Sequence, residues 1–193
     1  MHKPRSSHLE AQKHTLNYVH STSSQGILVQ GSNKLVLQAY SDSDWGACLD
    51  SRKSATGYIL LLGKTPICWK SKKQSVVSRS SSEAEYRAMA AAASEVTWVV
   101  RLLQELGIHN LEPVTLHCDN QSSIHIAKNP VCHERTKRIE IDMHFTRDKV
   151  LEGLIQLSYL PTRQQLVDLL TKILPFAHLK TLLYKLGVSH PPV

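Results

Sequence analysis

The chain has 193 residues, of which 41% are apolar and 20% are charged, a composition typical of a globular protein. That length supports one domain with a sizeable core and a short appendage. Lysine and arginine outnumber aspartate and glutamate by 23 to 16, so the net charge of +7 favours a polyanionic partner. No apolar run approaches the roughly 20 residues that cross a bilayer, so we expect neither a membrane partner nor secretion.

The cysteines are far apart and show no C-x-x-C spacing. They are Cys48, Cys68, Cys118 and Cys132. Such cysteines, in apolar or strand-like segments, are typical of reduced thiols in an intracellular protein. The eleven histidines do not combine with them at the spacing of a structural zinc site.

The first 26 residues predict a short helix followed by a break. Ser7 and Glu10 fit a capping box at the start of this helix, and the serine-rich run at 21–26 ends it. Because this piece buries little by itself, we treat residues 1–26 as an appendage and residues 27–193 as the main domain.

The main domain begins with three strand-like runs separated by polar turns: LVLQAYSDSDW, GYILLLG and PICWKSK. A long helix over 82–106 follows, and the strand VTLHCD then leads directly into the helical run NQSSIHIAKNP, which Asn129 and Pro130 end. A further helix, the strand LIQLSYLP and a last helix capped by Thr162 and Gln165 complete the chain. This order predicts an α/β fold, with a mixed sheet flanked by helices.

The long helix starts with two glutamates whose surroundings differ. Ser80 with Glu83, and Ser82 with Glu85, each fit a capping box. Helical spacing places Glu83 on a polar face, where it can pair with Arg87, and places Glu85 at the head of an apolar stripe. A carboxylate on the buried face needs partners, so Glu85 is either a cap at the edge of the core or a functional group.

Carboxylates stand at positions where α/β sheets place ligands. Asp42 and Asp44 end the first strand, Asp119 ends VTLHCD, and Asp168 lies in the last helix. Each has a plainer interpretation: the first two as turn formers, Asp119 as a helix N-cap and Asp168 as a solvated residue. If they converge with Glu85, the cluster suits a hard cation such as magnesium.

Three long motifs resemble one family closely. They are YSDSDWGACLDSRKSATGYILLLGKTPICWKSKKQSVVSRSSSEAEYRAMA, LHCDNQSSIHIAKNPVCHERTKRIEIDMHF and YLPTRQQLVDLLTK. In this order they resemble the ribonuclease H domain of copia-type retrotransposon Pol polyproteins. The resemblance implies a ribonuclease H-like fold with a five-stranded mixed sheet, and metal-dependent hydrolysis of RNA in an RNA/DNA hybrid. Residues 1–26 resemble the last piece of a reverse transcriptase region.

The resemblance also implies which carboxylates act. The family's catalytic carboxylates fall on Asp42, Glu85, Asp119 and Asp168, which would hold two Mg²⁺ or Mn²⁺ ions. Asp44 is the alternative to Asp42 as the first ligand.

The same comparison implies contacts to nucleic acid. Ser81, Ser82 and Gln121 are expected to touch the minor groove of the hybrid, where a 2′-hydroxyl distinguishes RNA from DNA. Lys72 and Lys73 are expected to contact phosphates.

The expected partners are an RNA/DNA hybrid and a reverse transcriptase domain in a longer polyprotein, located in a cytoplasmic transposon particle or in the nucleus. Two other functions remain open at this stage. One is a catalytically inactive protein that binds nucleic acid or a partner and derives from a truncated transposon. The other is an integrase-type transferase, which would use Asp119 with Glu152.

Overall fold

A computed structural model of the chain describes residues 3–29, 31, 35–128 and 140–189. Its helices are α1 (Ser6–Thr22), α2 (Ser81–Glu105), α3 (Gln121–Lys128), α4 (Glu140–Leu151), α5 (Asp168–Thr171) and α6 (Phe176–Lys185). Its strands are β1 (Gly26–Ile27), β2 (Leu37–Asp44), β3 (Ala55–Leu62), β4 (Thr65–Lys73), β5 (Val114–Cys118), β6 (Ile155–Tyr159) and β7 (Val188–Ser189). Cys132 and the predicted helix end at Asn129 and Pro130 lie outside the described residues.

The main sheet has five strands in the order β4-β3-β2-β5-β6. The pairs β4–β3 and β3–β2 are antiparallel, whereas β2–β5 and β5–β6 are parallel. The predicted five-stranded mixed sheet is therefore confirmed. As a consequence of these directions, the carboxyl ends of β2, β4, β5 and β6 lie at one edge of the sheet, where a ligand site is expected.

Both faces of the sheet are covered, and this explains the apolar run YILLL in β3. Tyr58 and Leu60 pack into a large core with α2, whereas Ile59 and Leu61 pack into a smaller core with Leu182 of α6. Successive side chains of a strand point to opposite faces, so a strand covered on both sides carries an unbroken apolar run.

Helix α2 is the main support of the large core. The predicted stripe below Glu85 is confirmed: its members are Met89, Ala92, Val96, Val99 and Leu103, and all are buried. This places the start of α2 against the end of β2, because α2 packs along β2 and β3.

Two local expectations are wrong. Helix α1 follows Arg5, whose backbone N–H donates to His8 Nδ1, so Ser7 and Glu10 do not form the predicted capping box. The last predicted helix is instead a 3₁₀ turn at Thr162–Gln164 followed by the separate helices α5 and α6. The two residues predicted to cap it bind other parts of the fold: Thr162 donates to Asp119, and Gln165 donates to the carbonyl of Ser41.

The appendage contacts the end of the described chain. Gly26 and Ile27 pair antiparallel with Ser189 and Val188, and no side chain of α1 is buried. The division between residues 1–26 and 27–193 stays a prediction. Among the described residues, no helix is long and apolar enough to cross a membrane.

Gly57 is a close-approach position that seats α5 on the sheet. A Cβ there would lie 2.6 Å from Val167 Cγ1 and 2.8 Å from Thr171 Cγ2. Gly57 also lies directly opposite Asp42 in the β2–β3 pair. The absence of a side chain at this position therefore lets the segment carrying Asp168 approach Asp42.

We expect Gly57→Ala to lower the free energy of unfolding by about 1–3 kcal/mol, because the added methyl overpacks the contact with α5. Urea unfolding followed by circular dichroism would measure this. Gly26→Ala is the matched control, since a Cβ there meets nothing within 4 Å. Equal stability of the two variants would contradict this account of Gly57.

Candidate metal centre

Asp42 is fully buried near the end of β2, with both carboxylate oxygens engaged. Oδ1 lies 3.1 Å from Lys172 Nζ, and Oδ2 accepts a hydrogen bond from the Thr171 hydroxyl. Asp44 is only half-buried, although burial and the charge of Asp42 raise its carboxyl pKa. The contacts to the last part of the chain thus belong to Asp42.

Asp168 begins α5 and is 2% exposed. Its Oδ1 lies 2.6 Å from the same Lys172 Nζ, so one ammonium group bridges Asp42 and Asp168. Burial raises the pKa of the Asp168 carboxyl, and the hydrogen bond from Lys172 offsets part of that rise. The alternative in which Asp168 is a solvated helix residue is therefore wrong.

Gln165 fixes the segment that carries Asp168. This fully buried side chain donates from Nε2 to the carbonyl of Ser41 (2.9 Å), and its Oε1 accepts from the Val167 N–H. A side chain that was predicted to cap a helix therefore ties the approach to α5 onto β2, three residues before Asp168.

Glu85 lies one turn into α2 and is 6% exposed. Its Oε1 accepts the backbone N–H of Ser43 (3.1 Å), which joins α2 to β2. Burial, with the nearby charges of Asp42 and Asp119, raises the pKa of Glu85 to about 9. Glu85 therefore carries a proton at neutral pH unless a cation lies beside it.

The two capping boxes predicted for α2 have different outcomes. Ser80 caps the helix by accepting the Glu83 N–H, and Glu83 pairs with Arg87 at 3.1 Å, as predicted. The box of Ser82 with Glu85 is wrong, because Glu85 binds the backbone of β2 instead.

Asp119 follows β5 directly and accepts a hydrogen bond from the Thr162 hydroxyl at Oδ2 (3.0 Å). It does not cap α3, because Asn120 Oδ1 accepts the N–H of Ser123. Burial and the charge of Asp42 raise the pKa of the Asp119 carboxyl.

These contacts bring the four predicted carboxylates to one edge of the sheet. The charge of Asp42 raises the carboxyl pKa of Glu85, Asp119 and Asp168, so all four groups share one electrostatic field. Ligand atoms of Glu85, Asp119 and Cys118 lie within 4.8 Å of one another. Oxygen donors in this number fit Mg²⁺ or Mn²⁺, and a divalent cation would relieve the repulsion among them.

Comparisons with known proteins identify relatives of the chain. Over 192 residues, the chain is 44% identical to the retrovirus-related Pol polyprotein from transposon RE1 of Arabidopsis thaliana. The chain is a homologue of a copia-type Pol segment. The match covers 100% of this chain but 13% of the polyprotein, so the chain spans about an eighth of that relative. No protein-family model matches it.

Solved structures show the same fold. The N-terminal RNase H domain of rv2228c from Mycobacterium tuberculosis has a TM-score of 0.53 at 11% identity, covering 78% of this chain and 98% of that one. LC11-RNase H1, solved in complex with an RNA/DNA hybrid, has a TM-score of 0.51 at 16% identity, covering 70% of this chain and 93% of that one. The Pol segment thus has a ribonuclease H fold.

The predicted nucleic-acid contacts of the Pol segment lie around the carboxylate edge. Asp44, Ala55 and Lys73 are register partners on β2, β3 and β4, so the backbone of Lys73 lies two strand spacings, or roughly 10 Å, across the sheet from that of Asp44. Lys72 and Lys73 are both exposed. Their contacts with phosphates stay a prediction.

The starts of α2 and α3 lie side by side, because the Ser123 hydroxyl donates to the Ser82 carbonyl (3.2 Å). Ser81 and Gln121 are exposed there, and Ser82 is half-buried. Their contacts with a hybrid stay a prediction. Glu152, the other ligand of the integrase alternative, is exposed and pairs with Lys149 at 2.7 Å, which argues against that function.

Sequence reasoning missed two residues of the site. Lys172 could have been found from its spacing, since it follows Asp168 by four residues and such pairs meet on one helical face. Cys118 gave no signal, because a buried cysteine in a strand is ordinary. Burial and Glu85 raise the pKa of the Cys118 thiol, so it is a neutral neighbour of the carboxylates.

The raised pKa of Glu85 predicts a pH-dependent effect of Glu85→Gln. The unfolded glutamate ionises near its ordinary pKa of 4.5, whereas the folded one keeps its proton to about 9. Folding therefore takes up a proton in this window, and wild-type stability is lost as the pH rises through it. In EDTA, we expect the stability of Glu85→Gln relative to wild type to rise between pH 5 and 9, by on the order of a few kcal/mol.

Urea unfolding at several pH values would measure this difference. Glu105→Gln, at the exposed end of the same helix, is the control and should show a flat difference. A difference for Glu85→Gln that is the same at pH 5 and pH 9 would contradict the raised pKa.

Proposed function

We propose that this Pol segment hydrolyses the RNA strand of RNA/DNA hybrids, using two Mg²⁺ or Mn²⁺ ions held by Asp42, Glu85, Asp119 and Asp168. The observation that carries the proposal is the convergence of four acidic side chains from separate elements, with three of their carboxyl pKa values raised. Placing like charges together in a core is costly, and a structural role alone does not require it. Asp44, beside Asp42, is the alternative first ligand.

The chemistry of the donors supports this choice of metal. Carboxylate oxygens suit hard cations, and such ions, when bound, can activate water and stabilise the leaving oxygen of a phosphodiester. The chain supplies the positions of these oxygens. The Ser43 N–H orients Glu85, the Thr162 hydroxyl orients Asp119, and the Thr171 hydroxyl orients Asp42.

The surface around the site supports a hybrid as substrate. Lys72 and Lys73 would bind phosphates, while Ser81, Ser82 and Gln121 would approach the minor groove from the starts of α2 and α3. The solved complex of LC11-RNase H1 with an RNA/DNA hybrid shows that a protein of this fold binds such a ligand.

The context of a longer polyprotein is part of the proposal. The Pol polyprotein of transposon RE1, which the chain resembles, extends far beyond the matched segment. We infer that a reverse transcriptase domain in the same polyprotein is a partner, and that the segment acts in a cytoplasmic transposon particle or in the nucleus.

Removing one carboxylate should slow hydrolysis strongly while the fold is kept. We expect Glu85→Gln and Asp119→Asn to cut the RNA strand of a labelled hybrid at least about 100-fold more slowly, equivalent to about 2.7 kcal/mol in the barrier. Gel analysis of cleavage with Mg²⁺, Mn²⁺ or EDTA would measure this, and EDTA should stop cleavage by the wild type.

The control variants make the same substitutions at exposed positions outside the carboxylate cluster. Glu105→Gln and Asp148→Asn, both exposed, should cleave like the wild type. Full activity of Asp119→Asn would refute the assignment. A folded wild type that binds the hybrid and does not cut it would instead favour the inactive binding protein.

The lysines of β4 should contribute mainly electrostatic affinity. For the double variant Lys72→Ala, Lys73→Ala, we expect weaker binding of the hybrid and a slope of log K against log salt that is smaller by about 1.5 to 2. Fluorescence anisotropy over a salt series would measure both. The double variant Lys180→Ala, Lys185→Ala removes the same charge from exposed positions of α6, and an equal loss there would contradict a local phosphate contact.

A further inference from the structure

Lys172 forms the most unusual contact of the metal centre. Its Nζ lies 2.6 Å from Asp168 Oδ1 and 3.1 Å from Asp42 Oδ1, so one cation already bridges two of the carboxylates. The Lys172 side chain is 29% exposed, whereas those of Asp42 and Asp168 are 1% and 3% exposed. The ammonium group thus reaches the buried carboxylates from the solvent side.

The position is fixed by the backbone next to it. Lys172 directly follows α5, and its N–H donates to the carbonyl of Asp168 (3.0 Å). Thr171 binds the other oxygen of Asp42. Two consecutive residues therefore hold Asp42, and among the described residues Lys172 is the side chain that joins it to Asp168.

A metal ion and this ammonium group need the same oxygens. Hard cations bind carboxylate oxygens directly, and a positive charge so close would repel them. The flexible stem of a lysine allows its head group to move into water without any change of the backbone. The bridge can therefore open without disturbing α5.

We propose that Lys172 is an internal counter-cation that competes with divalent metal for Asp42 and Asp168, and that metal binding displaces its ammonium group toward solvent. This inference rests on the proposed function, because it takes Asp42 and Asp168 as metal ligands. It assigns to Lys172 a positioning role: it holds the two carboxylates together and sets the metal concentration at which they bind ions.

The test compares the Mn²⁺ affinities of full-length variants by electron paramagnetic resonance of free Mn²⁺. We expect Lys172→Met to bind Mn²⁺ roughly tenfold more tightly than the wild type, which corresponds to about 1.4 kcal/mol of lost competition. We also expect it to unfold at a lower temperature in EDTA and to gain more stability from Mn²⁺. Lys172→Gln serves the same purpose if Lys172→Met fails to fold.

Two further variants separate this role from a general effect of charge. Lys180→Met removes an exposed lysine from α6 and should bind Mn²⁺ like the wild type. Lys172→Arg keeps the charge and should restore near wild-type affinity. An affinity of Lys172→Met equal to or lower than that of the wild type would overturn the proposal, as would an equal gain in Lys180→Met.

The outcome is separable from that of the proposed function. Tighter Mn²⁺ binding by Lys172→Met in a chain that does not cleave hybrids would support the counter-cation and count against the nuclease. Metal-dependent cleavage by the wild type with unchanged Mn²⁺ binding by Lys172→Met, and a higher KM for hybrid, would make Lys172 a phosphate contact and overturn the inference.

Discussion

Repulsion among buried carboxylates governs the architecture of this edge of the sheet. Asp42, Glu85 and Asp168 are almost inaccessible to water, and Asp42 acts on the pKa of each of its acidic neighbours. The structure lowers the cost differently for each group. Without a metal ion beside it, Glu85 keeps a proton; Lys172 places one positive charge between Asp42 and Asp168, and Asp119 accepts a hydrogen bond from Thr162.

Contacts from several parts of the fold position Asp168 in the cluster. Asp168 comes from a short helix of four residues, which has little stability of its own. It depends on tertiary contacts: Gly57 leaves room for it, Gln165 ties its approach to β2, and the Ser71 hydroxyl donates to the carbonyl of Leu170 (2.6 Å). Asp168 is therefore positioned by the sheet, and its geometry is coupled to the stability of β2 and β3.

The sequence predicted those features that depend on local patterns. The strands follow from strand-like runs between turn residues, and the long helix and the different surroundings of Glu83 and Glu85 follow from spacings of three and four residues; all are present. Predictions from helix-capping patterns were wrong where the side chains have partners that are distant in the sequence. Thr162 and Gln165 fit a capping box by spacing, but they bind Asp119 and the carbonyl of Ser41, which no local pattern reveals.

The spacing of Lys172 from Asp168 reveals only one of its two partners. Its spacing from Asp168 indicates an ordinary helical ion pair, worth a few tenths of a kcal/mol on an exposed face. Asp42, which is 130 residues away, makes it a bridge between two buried groups, and burial strengthens such contacts because water screens them less. The importance of a charged residue is thus set by how many buried partners the fold brings to it, and spacing alone reveals only one of them.

The basic residues of β4 lie apart from the carboxylates at this edge, and this arrangement constrains how a polyanion could bind. Lys72 and Lys73 lie about two strands from the acidic centre and can attract phosphates from a distance. A phosphate that enters the centre itself must meet positive charge there, because uncompensated carboxylates would repel it. Lys172 supplies part of that charge, and a divalent ion bound as proposed would supply more. Exchange of one cation for the other would therefore keep the centre compatible with a phosphodiester throughout, while only the metal adds the power to activate water.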